Sequence, residues 1–222
     1  MRNNRRYDSF RFPVLCLAAL LLLTVLGGCR SGEGSGSSRQ TDSQTASVET
    51  LLQIEDPQEK AAVEAAKGKV AAMGTEPRII ATSPAVAEIC DRLDLDLEGI
   101  CSSTLSELPE RYSEVTQVGT AMSPDMEIVA SLDPDWILSP SSLQPDLQSK
   151  YEAIDTDWAF LNLRSVQGMY RSIQELGEIF GREEEAQVQI REFTGFYEEC
   201  KEKNQGKEPP QVMILMGLPG SY

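Results

Sequence analysis

From residue 78 to residue 162 the chain alternates between short apolar runs and stretches whose apolar residues recur at helical spacing. "RIIA" (residues 78–81) predicts a strand, and "TSPAVAEICDRL" after it a helix with Ser83 as N-cap and Pro84 in the first turn. "LEGIC" (97–101) is a second strand, followed by a loop, "SSTLSELPERYSEV", with room for one helical turn. "QVG" (117–119) is a short third strand. "SPDMEIVASL" is then a helix with Ser123 as cap, Pro124 next and Asp125 in its first turn. "DWILS" is a strand, "LQPDLQSKYEAI" a helix or broken helix, and "WAFLN" a final strand. The β-α-β alternation predicts an α/β fold, a parallel sheet with helices on both faces.

Two longer periodic segments follow. "SVQGMYRSIQELGEIF" places Val166, Met169, Ile173, Leu176 and Phe180 at helical spacing, with Gly181 suited to close the helix. "EEEAQVQIREFTGFYEECKEK" keeps Ile190, Phe193, Tyr197 and Cys200 on one stripe. A helix of that length runs roughly 30 Å, about the width of a small domain, so it can span a molecule rather than cap one sheet. "QVMILMG" (211–217) predicts a new buried strand with no partner after it, so the chain is expected to be a fragment or a truncated copy.

Ahead of this body the pattern changes. Arg2, Arg5, Arg6 and Arg11 precede the apolar run "VLCLAALLLLTVL" and then "LGGC", the three regions of a secretory signal in order. The run is too short for a comfortable membrane span. Leu-Gly-Gly-Cys resembles the bacterial lipobox, which makes Cys29 the lipidated first residue of the mature chain. The alternative is a plain signal peptide cut near Gly28. "RSGEGSGSSRQTDSQTASVET" has almost nothing to bury and suits a flexible tether. The lead-in to the first strand is helical in pieces but broken at Pro57. The expected divisions are a signal peptide (1–28), lipidated cysteine with tether and lead-in (29–77), an α/β binding lobe (78–164), helices that include the long one (165–208), and a further strand (209–222). Lipid, tether and globular body place the protein at the outer face of the cell membrane.

The formal charge is −15, and loss of the arginine-rich leader makes the mature chain more negative still. That balance argues against nucleic acid as a partner. With Cys16 in the signal and Cys29 committed to lipid, Cys90, Cys101 and Cys200 remain, without metal-type spacing. They allow a Cys90–Cys101 disulfide or buried free thiols. The absence of histidine excludes His-based triads within this sequence.

Ligands of open parallel α/β sheets bind beyond the carboxyl ends of the strands. Here those ends carry Thr82 and Ser83, Cys101, Ser102 and Ser103, Thr120, Ala121 and Met122, Ser139 to Ser141, and Asn162. They are small, polar and mostly uncharged. They lack a general base, a nucleophile–base pair and a glycine-rich phosphate loop, so the rim suits recognition rather than catalysis. Ser83 and Ser123 also read as helix caps, Trp136 and Trp158 as core, and Glu127 as a favourable charge at a helix start. Met122 is the one large, soft side chain at this edge.

The stretch "RIIATSPAVAEICDRL…LPERYSEVTQVGTAMSPDMEIVASLDPDWILS" resembles the amino-terminal lobe of substrate-binding lipoproteins of metal-chelate ABC importers, which take up haem, ferric siderophores or cobalamin. "LPERY", "VGTAMSPDMEIV" and "ILMGLPGSY" are similar, more narrowly, to haem receptors of the iron-regulated surface determinant system. The resemblance implies a two-lobed periplasmic-binding-protein-like fold joined by one long helix, with the second lobe truncated here, and no catalytic activity. It implies that Met122 is an axial ligand of haem iron, paired with a histidine of the second lobe, and that haem is the transported ligand. The crevice would be lined by Thr82, Ser83, Ser102, Ser103, Ala121, Ser141 and Tyr222. Glu127 would contact the ABC permease, which works with its ATPase, and a cell-surface haem donor would act upstream. The expected function is a haem-binding lipoprotein receptor for iron acquisition. Its rivals are a receptor for a ferric siderophore or cobalamin, and a non-transport surface lipoprotein. This chain alone is expected to hold haem weakly or not at all and to fold poorly around its last strand.

Overall fold

The computed structural model describes residues 52, 56–208 and 210–213. Its first long helix, α1 (Pro57–Met73), begins where the sequence pattern had suggested a break. Asp56 caps it by accepting a hydrogen bond from the Gln58 N–H, Pro57 occupies its first turn, and Gly74 closes it in the left-handed region. A proline at that position loses no helical hydrogen bond, so Pro57 starts a helix instead of interrupting one.

The sheet is built from β1 (Ile79–Ala81), β2 (Gly99–Ser102), β3 (Thr116–Thr120), β4 (Ser123–Pro124), β5 (Trp136–Pro140) and β6 (Asp157–Leu161). Their spatial order is β4-β3-β2-β1-β5-β6. All neighbours are parallel except β3 and β4, which form an antiparallel hairpin at one edge. Four helices alternate with these strands or follow them closely: α2 (Pro84–Arg92), α3 (Met126–Ser131), α4 (Gln144–Tyr151) and α5 (Val166–Phe180). The last, α6 (Glu183–Asn204), is the long helix of the sequence pattern.

Apolar side chains alternate across the central strands, as the period of two demands. Ile79, Ala81, Trp136 and Leu138 point to one face with Val86, Ile89, Ile173, Leu176 and Phe180. Ile80 and Ile137 point to the other with Val118, Val129, Leu147 and Tyr151. Helices therefore cover both faces, α2 and α5 on the first and α3 and α4 on the second. Trp136 is buried edge-on against Phe180, with ring centroids 5.7 Å apart. Trp158 packs beside Phe160. Both tryptophans thus serve the core.

The α1 helix lies along α5 and reaches α6 through Lys67 and Glu183, with little apolar burial. Val63 is its only buried residue. Ala66 and Val70 pack half-buried against the core beside it, and charged contacts, mostly exposed, flank them: Arg171 to Glu59 at 3.2 Å, Lys67 to Glu183 at 3.2 Å, and Lys69 to Asp157. On α6, Phe193 stacks on Tyr170 of α5 at 4.3 Å and tilts against Tyr197. Beyond α6, Gln211 to Met213 lie outside any strand, and Val212 and Met213 are exposed. Among the described residues no strand lies beside them, and a parallel strand does not form without neighbours. The remainder of the anticipated strand, with Tyr222, lies outside the described residues, as do the signal region and Cys29.

Candidate functional site

The carboxyl end of β3 turns back on itself before α3 begins. Gly119 makes the reversal with φ +94°, and a Cβ there would stand 2.9 Å from the Ser123 carbonyl oxygen and 3.1 Å from the Asp125 nitrogen. Only glycine fits so close an approach at positive φ. The reversal draws Ser123 and Pro124 into β4, where Thr120 pairs with Ser123 and Gly119 with Pro124. Ser123 therefore does not cap α3. That role falls to Asp125, whose Oδ1 accepts from the Glu127 and Ile128 N–H groups. The Ser-Pro pair signalled a helix two residues early, because an aspartate after the proline competes for the cap and satisfies two orphan donors.

Ala121 and Met122 form the tip of this hairpin, and the Met122 side chain is 76% exposed. Met126, four residues on, packs with the apolar cluster beneath the sheet. The two methionines thus separate into a core residue and a rim residue. Beside Met122 opens a cavity of about 310 Å³, lined by Pro84, Ser102, Ser103, Thr104, Leu105, Ser106, Thr120, Ala121 and Met122. It sits where β2 and β3 end and α2 begins, the edge at which parallel sheets receive ligands.

The structure brings together Ser102, Ser103, Ala121 and Met122 of the expected crevice residues. Thr82, Ser83 and Ser141 do not line this cavity. Thr82 is fully buried, and its hydroxyl is engaged with the Leu138 carbonyl and with Ser139 Oγ. Ser139 in turn meets the Tyr151 hydroxyl at 2.8 Å. This chain of hydroxyls satisfies polar groups that could not otherwise stay inside the lobe. Ser83 is also buried and caps α2 by accepting from the Val86 N–H. Ser141 begins a 3-10 turn after β5. A small polar residue at a strand end serves backbone satisfaction as readily as recognition, and sequence alone does not separate the two.

Glu127 is exposed in the first turn of α3 and, among the described residues, has no ion-pair partner. Cys90 and Cys101 are buried free thiols. Burial pushes the Cys90 thiol up to about 12 and the Cys101 thiol up to about 11, so both stay protonated at neutral pH. Among the described residues no group of three or more Cys, Asp or Glu is placed to hold a metal ion. A larger opening, of about 580 Å³, lies at the opposite strand ends between Lys69, Asp133, Asp135, Asp155 and Asp157. It lies at the amino ends of β5 and β6, the wrong edge for a ligand crevice in this architecture. Thr120, read from the sequence as a strand-end residue, also lines the cavity, whereas Thr104, Leu105 and Ser106 were not foreseen in its wall. Leu105 is a lone apolar residue within "SSTLSE", which gives no periodic signal.

Comparison with known proteins bears on the family and the fold. The family model described as periplasmic binding protein matches residues 79–222. The high-affinity heme uptake system protein IsdE of Staphylococcus aureus is 35% identical over 152 residues, 66% of this chain and 50% of that protein. The crystal structure of S. aureus IsdE complexed with heme superposes with a TM-score of 0.61 at 34% identity, covering 67% of this chain and 57% of that one. An ABC transporter substrate-binding protein from Listeria monocytogenes EGD-e superposes with a TM-score of 0.61 at 43% identity over the same shares of the two chains. The chain spans about half the length of the curated relatives it matches.

Proposed function

We propose, from the premise that this chain belongs to the periplasmic binding protein family, that it contributes the amino-terminal lobe of a haem receptor feeding an ABC importer. The family consists of substrate-binding proteins of ABC transporters and is not enzymatic. The observation that carries the haem reading is the placement of Met122, an exposed thioether fixed at the tip of the β3–β4 hairpin over an open cavity. Packing does not explain a methionine held largely in water. A thioether is a soft ligand for haem iron, and in a Met/His pair it raises the reduction potential of the iron. The sequence has no histidine and both core cysteines are buried, so within this lobe Met122 is the side chain suited to that iron.

In this reading Cys29 carries the lipid, residues 30–50 act as tether, and the lobe works at the extracellular face of the cell membrane. Glu127, exposed and unpaired among the described residues, is the contact offered to the permease and its ATPase, and a cell-surface protein donates the haem. The identity with a heme-complexed relative supports haem over other chelates. A ferric siderophore or cobalamin is the alternative cargo on the same fold.

The test is haem titration of the complete gene product beside its Met122→Ala variant. Loss of the thioether is expected to weaken binding and lower the potential of the bound iron. Equal affinity and equal potential in the two proteins would remove Met122 from the site and favour the alternative cargo.

A further inference from the structure

The cavity beside Met122 has a second apolar wall that the polar composition of the rim conceals. Leu105 is 80% exposed and lines the cavity with Met122 and Pro84. It stands in the loop between β2 and the 3-10 turn Glu110–Tyr112, and local bonds hold that loop. Ser103 Oγ accepts from the Ser106 N–H at 3.1 Å and lies 3.1 Å from the Ser106 hydroxyl. These bonds close a turn with Leu105 inside it, so Ser103 orders the loop as well as lining the cavity.

A leucine kept in water forgoes the burial energy that an apolar side chain gains in a core. Leu105 forgoes it in a turn whose geometry is already set, within one cavity wall with an equally exposed methionine. We infer that Leu105 is a specificity-determining contact of this receptor, packing against the apolar face of a flat macrocycle whose iron lies at Met122. The inference rests on the haem reading of the site and adds the feature that selects ligand shape. A broad apolar ring covers Leu105 and Met122 together, whereas a ferric chelate coated in polar groups leaves Leu105 wet.

The experiment loads the complete gene product with haem and follows its transfer to an excess of a haem-scavenging apoprotein. Wild type, Leu105→Ser and Leu105→Met are compared, with the reduction potential of the bound haem as a second readout. Leu105→Ser is expected to release haem about tenfold faster, which corresponds to about 1.4 kcal/mol. Its potential is expected to stay unchanged, because the thioether remains in place. Leu105→Met is expected to restore slow release. Release from Leu105→Ser at the wild-type rate would overturn the inference alone. A shifted potential in Leu105→Ser would also overturn it, by showing that the loop positions the methionine instead of touching the ring. A wild-type protein that takes up no haem would overturn the haem reading and this inference with it.

Discussion

Glu175 gives a test of how α1 is held to the lobe. Its carboxyl is raised from an ordinary 4.5 to about 7, first by burial between α1 and α5, then by a hydrogen bond shared with Glu59 and by that neighbour's charge. Glu178 adds to the rise, and Arg171, which also pairs with Glu59 at 3.2 Å, opposes it. A carboxyl whose folded value lies above its unfolded one binds more protons in the folded state across the interval between them. Stability therefore falls as pH climbs from about 4.5 to about 7, and no further loss comes from this group above that. The full shift would set the loss at roughly 3 kcal/mol. Glu175 is only partly buried, and solvent screening brings the expected figure to the order of 1–2 kcal/mol. Glu175→Gln keeps a donor toward Glu59 and cannot ionise. Thermal melts at pH 5 and pH 8 are expected to show wild type losing roughly 4 °C that the variant keeps. Equal losses in the two proteins would refute the placement of a proton between Glu59 and Glu175.

The cap of α3 separates two neighbours. Asp125→Ala is expected to cost about 1 kcal/mol in urea unfolding, while Ser123→Ala stays near neutral, and the reverse order would restore Ser123 as the cap. Gly168→Ala forces a Cβ to within 2.7 Å of the Asn162 carbonyl oxygen where α5 crosses the end of β6. It is expected to lower stability by about 2–3 kcal/mol, and an unchanged urea midpoint would show that this contact yields freely.

The central strands were legible because burial on both faces leaves an unbroken apolar run, as in β1 and β5. The start of α2 was legible because Ser83-Pro84 is both a capping signal and the observed cap. At Ser123 the same dipeptide misled, because Gly119 upstream permits a reversal and Asp125 downstream takes the donors. A two-residue strand such as β4 has no periodicity to detect. Pro57 misled for a related reason: proline opens a helix as readily as it ends one, and only Asp56 before it told which. In the site, Met122 stood out by type, whereas Thr82 and Ser83 looked like rim residues although their hydroxyls face inward. Leu105 was hidden by its company, since a single leucine among serines carries no pattern until the chain folds it beside another apolar group.

The β3–β4 hairpin divides its own residues into those that build it and those that merely ride on it. Gly119 cannot accept a side chain without collision, and Pro124 and Asp125 close the edge and start α3. Ala121 and Met122 occupy the turn itself, and the Met122 side chain supports almost nothing beneath it. A substitution at Met122 therefore leaves the framework standing while changing what the rim presents at the cavity. Under the proposed function, descent with modification moves such a lobe from one ligand to another through a single codon, with no stability penalty to delay the change.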